Sequence, residues 1–302
     1  MQPSTQTKTH YGNESTVKSS KSEPNIIFKR KFFNFQNLNL SYLDTETNTE
    51  QIILITHANG YSAECYSYLI EALSDKYRVV ALDFSGHGQS QVFHDFTSWD
   101  FLRDQILALI EHENLSNIIS IGHSMGGSSA LRASKRKTNL FKKLILLDPT
   151  FLSIPILVYG SIFGIPIAKN ALKRRRNFKN IEQVRKVFRK FSAFANWDER
   201  VYEDYLRSCF RKSGDEVELI CDPKIEARHF STPSFKSFRD YGKNKLETHI
   251  IIPRKFEVCS PYRAKVIAKG NPKSSVTIIP DGTHFFPFEK TEFTLNKIRE
   301  LL

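Results

Sequence analysis

A chain of 302 residues, 40% of them hydrophobic, can bury a substantial core, which excludes a disordered protein and points to one large domain or a domain with an insertion. The formal net charge of +12 is concentrated: residues 169–191 carry ten Lys and Arg against Glu182 alone, residues 1–31 carry six against Glu14 and Glu23, and the remainder is close to neutral. A near-neutral body with one basic segment and no nucleic-acid motif excludes a general polyanion binder.

Residues 1–25 are polar and rich in Ser, Thr and Lys, with no apolar core of a signal peptide, and read as a flexible tail. IIFKRKFF and NLNLSYL then form an opening antiparallel hairpin. Six further strand runs follow, QIILITH, YRVVALD, NIISIGH, KKLILLD, THIIIP and SSVTIIP. These are mostly unbroken apolar stretches, as strands covered on both faces require. Helical patterns lie between them: ECYSYLIEALSDK, SWDFLRDQILALIEHEN with Ser98 as its cap, SSALRASKRK, and EKTEFTLNKIRELL at the end of the chain. The alternation predicts a mostly parallel α/β sheet. It breaks once, after Asp148, for about ninety residues that hold helical patterns and no convincing strand. The expected organisation is therefore a core of 26–148 and 238–302, with a helical cap inserted at 149–237.

Four cysteines, Cys65, Cys209, Cys221 and Cys259, match neither a C-x-x-C metal pattern nor a dense disulfide framework, so a reduced compartment and a cytoplasmic location are expected. No metal or organic cofactor is implied.

The pattern Gly122-His123-Ser124-Met125-Gly126 sits between a buried-strand run and a string of small residues. A strand-to-helix elbow forces its central residue into a strained conformation, and flanking glycines remove the Cβ atoms that would clash there. It would set Ser124 Oγ and the N–H of Met125 at the positive end of a helix.

At this point the chain resembles the α/β-hydrolase superfamily, from residue 26 onward. THANGYS (56–62) is similar to the family's loop after the third strand, with Ala58 where glycine is commoner. ALDFSGHGQS (81–90) is similar to its D-x-x-G-H-G-x-S turn, GHSMGG to its elbow, and DGTHFFPFEK (281–290) to the loop carrying the catalytic histidine. The resemblance implies the α/β-hydrolase fold with an inserted helical cap, Ser124 as nucleophile and His284 as base, in the superfamily order serine, acid, histidine. It implies an oxyanion hole from the N–H groups of Met125 and Asn59. His57, His87 and His123 read as local hydrogen-bonding groups in Gly-rich turns, and the other histidines carry no motif.

The acid departs from the family pattern. After THIIIP an aspartate is expected, and Glu257 is the acid available there; Asp148, at the end of the preceding strand, is the alternative, and Asp281 lies too close in the chain to His284. Glu257 is preferred.

The insertion opens with the uncharged stretch Phe151–Ala168, interrupted by Pro155, Gly160, Gly164 and Pro166. It reads as the apolar lining of a cap rather than a membrane span, with resting on a membrane surface as an intermediate reading. RRRNFKNIEQVRKVFRKFSAFANWDERVYEDYL and CDPKIEARHF resemble the cap of a bacterial and fungal subgroup that shares the HANG-type loop. The expectation is a serine hydrolase of carboxylic esters or thioesters with an apolar acyl part. Carbon–carbon bond hydrolysis, cofactor-free peroxidation and a ligand-binding member without turnover are the alternatives. A serine at the elbow speaks against the dehalogenase and epoxide-hydrolase branches, which place aspartate there. The partner is a small molecule rather than nucleic acid, and the basic run is either a solvated face or a contact to an anionic acyl-CoA.

Overall fold

The computed structural model describes residues 27–151, 166–232, 244–255 and 258–302. The tail assigned to residues 1–25, residues 152–165 of the apolar stretch, and Glu257 lie outside them. Strands β1 (Lys29–Phe35), β2 (Leu38–Asp44), β3 (Ile52–Thr56), β4 (Arg78–Leu82), β5 (Ile118–His123) and β6 (Phe141–Leu147) precede three short strands, β7 (Asn177–Phe178), β8 (Phe210–Ser213) and β9 (Glu216–Leu219). β10 (Glu247–Pro253) and β11 (Ser275–Ile279) complete the set.

The large sheet has eight strands in the order β1-β2-β4-β3-β5-β6-β10-β11. β2 pairs antiparallel with both β1 and β4, and the remaining pairs are parallel. All eight strand runs read from the sequence are present. The unbroken apolar character of the central strands follows from burial on both faces: in β3, Ile53 and Ile55 join one core, while Ile52 and Leu54 join the other. The first core takes Leu69, Ile70 and Leu73 of α1 (Ser67–Leu73), and the second takes Leu102, Ile106, Leu109 and Ile110 of α2 (Asp100–His112). Those four α2 positions recur at helical spacing, and each buried Leu or Ile contributes about 1.5–3 kcal/mol. Ser98 Oγ accepts from the Asp100 N–H at 3.2 Å at the start of α2. Ala130, Leu131 and Ala133 of α3 (Met125–Arg136) pack into the second core.

β3 has β4 on one side and β5 on the other, so the direction of winding reverses there. In an open α/β sheet this reversal opens a crevice at the carboxyl ends of the strands. Residues that leave β3, β5 and β6 therefore converge on one edge.

Between β6 and β10 lie α4 (Pro166–Leu172), α5 (Ile181–Phe188), α6 (Ser192–Ala195), α7 (Glu199–Ser208) and α8 (Pro223–Ser231), together with a three-stranded antiparallel sheet in the order β7-β9-β8. That sheet corrects the expectation of an insertion without strands. β8 and β9 are four residues each, half of their side chains are charged, and only Phe210 and Leu219 are buried, so no apolar run betrays them. The signal that was present is Gly214, at φ 59° in the two-residue turn joining them. The chain closes with α9 (Pro261–Ala268), α10 (Phe286–Glu289) and α11 (Thr291–Leu301). Among the described residues no helix is long and apolar enough to cross a membrane.

Candidate active site

Ser124 stands between β5 and α3 with φ 54° and ψ −119°, a conformation L-residues rarely adopt, and is only 8% exposed. The elbow holds because its glycines admit close backbone approach. A Cβ on Gly122 would lie 2.5 Å from Gly127 Cα, and one on Gly126 would lie 2.4 Å from the Thr56 carbonyl oxygen. The second contact seats the first turn of α3 against the end of β3, beside the loop that follows.

His284 comes from the loop after β11. Its Nε2 lies 3.0 Å from Ser124 Oγ, and its Nδ1 lies 2.6 Å from Asp148 Oδ2. Asp148 is fully buried, at φ 38° directly after β6, and its other oxygen accepts the Cys259 N–H at 2.9 Å. Burial, with the Asp148 charge beside it, pushes the Cys259 thiol up to about 12. Asp148, the alternative acid read from the sequence, is thus brought to His284. Glu257 lies outside the described residues.

The loop Ala58–Tyr61 is laced down by its own hydrogen bonds. Ala58 N–H donates to Tyr66 Oη at 3.2 Å, Gly60 N–H to His87 Nε2 at 3.0 Å, and Tyr61 N–H to the Ala58 carbonyl at 3.3 Å. Among the described residues, the Asn59 N–H is the one in this loop without an acceptor, while the Asn59 side chain donates to the Glu226 carbonyl at 2.9 Å. Met125, as the first residue of α3, has an N–H that no helical carbonyl can reach. Among the described residues, neither N–H expected at an oxyanion hole has a hydrogen-bond acceptor.

His57, His87 and His123, read from the sequence as local hydrogen-bonding groups, all make hydrogen bonds, but those of His123 reach distant segments of the chain. His57 Nε2 accepts the Phe84 N–H at 2.9 Å. The Tyr66 hydroxyl, having accepted from Ala58, lies 2.7 Å from His123 Nδ1, and His123 Nε2 lies 3.0 Å from the His284 carbonyl. The carbonyl can only accept, so His123 carries its proton on Nε2 and Tyr66 donates to Nδ1. Burial holds His123 and His87 well below the usual histidine range, so both rings are neutral at pH 7. The motif Asp83–Ser90 is a scaffold: Asp83 takes the Ala63 N–H at 2.8 Å and Arg30 Nη1 at 2.6 Å, and a Cβ on Gly88, at φ 50°, would strike its carboxylate.

Two contacts were not read from the sequence. Thr150 Oγ1 lies 3.2 Å from Ser124 Oγ, and the Tyr66–His123 chain ties the loops of Ala58 and His284 together. The available signals were a hydroxyl two positions after Asp148 and a tyrosine at the start of α1.

The arginines of the cap split by partner. Arg174 pairs with Glu226 against Gly60, where a Cβ would lie 3.1 Å from Glu226 Oε1. Arg176 pairs with Asp222 and Glu218, Arg185 with Glu203, and Arg189 with Glu199. Lys169, Lys173, Arg175, Lys179, Lys186 and Lys190 are exposed and have no acidic partner among the described residues. Burial raises the Glu226 carboxyl against the opposing pull of Arg174.

The sequence profile of the alpha/beta hydrolase fold matches residues 51–291. An uncharacterized hydrolase of Bacillus subtilis, YugF, is 30% identical over 133 residues, which cover 43% of this chain and 49% of that protein. The chain thus spans about half the length of that relative. Peroxisomal membrane protein LPX1 of Saccharomyces cerevisiae is 25% identical over 301 residues, covering 84% of this chain and 75% of that one. Among solved structures, E-2-(acetamidomethylene)succinate hydrolase superposes with a TM-score of 0.75 over 90% of this chain and 98% of its own, at 17% identity, a likeness of fold alone. With a profile match over most of its length, and with the sheet, elbow and crevice described above, this chain belongs to the alpha/beta hydrolase fold family.

Proposed function

We propose that the protein is a serine hydrolase that cleaves a carboxylic ester or thioester through an acyl-enzyme. The observation that carries the reading is the unbroken chain Asp148 Oδ2, His284 Nδ1, His284 Nε2, Ser124 Oγ, with spacings of 2.6 Å and 3.0 Å. Asp148 takes the acid's role in place of Glu257. It holds the proton on Nδ1, which leaves a lone pair on Nε2 to receive the serine proton.

In this scheme Ser124 Oγ attacks the carbonyl carbon as His284 Nε2 takes its proton. The N–H groups of Met125 and Asn59 meet the charge that develops on the carbonyl oxygen. His284 then protonates the leaving oxygen or sulfur, and the carbon–leaving-group bond breaks. Water, losing its proton to the same nitrogen, releases the acid and restores Ser124.

An apolar acyl part fits the rings beside the site. Phe285 adjoins His284 with centroids 5.3 Å apart, and both Tyr61 and Trp197 stand 5.9 Å from Phe285. The unpaired cap lysines are read as solvated surface, which fits their exposure. All four cysteines are free and buried, which supports a reducing, cytoplasmic location.

The test is labelling by a fluorophosphonate together with hydrolysis of p-nitrophenyl esters of increasing chain length and of acyl-CoA thioesters. Wild type should label and turn over, while Ser124→Ala and His284→Ala should lose several orders of magnitude of turnover with the fold intact. An unlabelled wild type would instead mark a ligand-binding member.

A further inference from the structure

We propose that Thr150 is a further catalytic residue, whose hydroxyl donates to Ser124 Oγ and assists release of the acyl group rather than its capture. The inference rests on the reading of Ser124 as the acylated nucleophile.

The direction of the hydrogen bond follows from the groups around it. Asp148 accepts from His284 Nδ1, so Nε2 offers a lone pair and Ser124 Oγ–H donates to it. The serine proton is thereby committed. The 3.2 Å contact between Ser124 Oγ and Thr150 Oγ1 is then made by the threonine proton. Thr150 is held for this role through its backbone, because its N–H donates to the Ser124 carbonyl at 3.2 Å and its carbonyl accepts from Ser128 Oγ at 2.7 Å. Removing the side-chain hydroxyl leaves both of those bonds in place.

A donor on Oγ acts differently in the two halves of the reaction. During acylation Oγ gives electron density to the carbonyl carbon, so the bond from Thr150 weakens as the transition state is approached. During deacylation water adds to the acyl carbon and loses its proton to His284 Nε2. The carbon–Oγ bond then breaks, its electron pair goes to Ser124 Oγ, and the proton returns from Nε2 to that oxygen. Density grows on Oγ in this step, and the Thr150 bond strengthens. Only an interaction stronger in the transition state accelerates the step, so the hydroxyl favours deacylation.

The experiment is pre-steady-state hydrolysis of a p-nitrophenyl ester by wild type, Thr150→Val and Thr150→Ser, where an easily expelled leaving group makes deacylation govern kcat. Thr150→Val is expected to lower kcat and KM together by roughly ten- to a hundredfold, as loss of a hydrogen bond to a charged group implies, with kcat/KM within about threefold of wild type. It should release one equivalent of p-nitrophenolate per enzyme in a burst. Thr150→Ser, which restores the hydroxyl, should return kcat toward wild type. A Thr150→Val variant whose kcat is unchanged, or whose kcat/KM falls along with kcat and without a burst, overturns the proposal, as does a Thr150→Ser variant as slow as Thr150→Val. Should the valine variant not fold, Thr150→Ala takes its place under the same criteria. Failure of the underlying reading is told apart by wild type itself, which would then neither bind fluorophosphonate nor depend on Ser124.

Discussion

Asp148 Oδ2 lies 2.6 Å from His284 Nδ1, although the two residues are 136 positions apart. The carboxylate is buried and leaves the sheet at the end of β6, next to the strand that delivers the serine. At that distance a carboxylate can hold the imidazole proton on Nδ1.

Asp148→Asn should therefore lower kcat about 10³- to 10⁴-fold with little change in thermal stability, since the amide keeps an acceptor for the Cys259 N–H. Glu257→Gln should stay within a few-fold of wild type. Steady-state kinetics on one ester decide it, and the reverse ranking would return the acid's role to Glu257.

Tyr66 and His123 belong to one hydrogen-bonded chain, so their contributions to stability should not add. Tyr66→Phe is expected to destabilise by about 1–3 kcal/mol, because it strands the Ala58 N–H and His123 Nδ1 in the interior. In a double-mutant cycle with His123→Leu, measured by urea unfolding, the coupling should exceed about 0.5 kcal/mol. Strict additivity would mean that the chain does not act as a unit.

The basic run holds one buried ion pair, Arg174–Glu226, more exposed pairs of Arg176, Arg185 and Arg189, and cations such as Arg175 with no acidic partner among the described residues. Arg174→Gln leaves the Glu226 carboxylate buried without its partner and should cost about 3 kcal/mol. Arg175→Gln, on the exposed surface, should stay within about 0.5 kcal/mol of wild type. Equal unfolding midpoints for the two variants would contradict the division.

Asp44 supplies a pH dependence. Burial alone would raise its carboxyl, but hydrogen bonds from Arg78 and Lys31 outweigh it and hold the group below the usual carboxylate range. With the folded value depressed, the stabilisation is fully present above the unfolded value of about 4 and is lost as pH falls through the folded one. Asp44→Asn should be clearly less stable than wild type at pH 7, and the gap should shrink below about pH 4. A gap independent of pH would show that the charge of Asp44 is not what stabilises.

The core strands were legible because burial on both faces writes unbroken apolar runs, as in Ile52–Ile55. The short strands Phe210–Ser213 and Glu216–Leu219, half of whose side chains are charged, write no such run, and only Gly214 marked their turn. The helix Pro261–Ala268 passed unread despite its start signal: Ser260 Oγ accepts the Arg263 N–H at 3.4 Å, and Pro261 follows it. Ser124 and His284 were legible from motifs whose spacing the fold requires. Asp148 was harder to choose, because its reach to His284 depends on a backbone φ of 38° and on the curl of the chain after β6, which no side-chain pattern records. The Thr150 contact is of the same kind.

His123 and Leu147 are paired neighbours in β5 and β6, so Ser124 and Asp148, the residues after them, ride on a single ledge of sheet. The Ser124 N–H even donates to the Leu147 carbonyl at 2.9 Å. Two of the three aligned groups thus share one rigid body, and nearly all the freedom to misalign resides in the loop bearing His284. That loop is moored to the ledge through its carbonyl on His123 Nε2. On heating, the first thing to fail should be this mooring rather than the sheet, which would make loss of activity an early and reversible event while the strands remain paired.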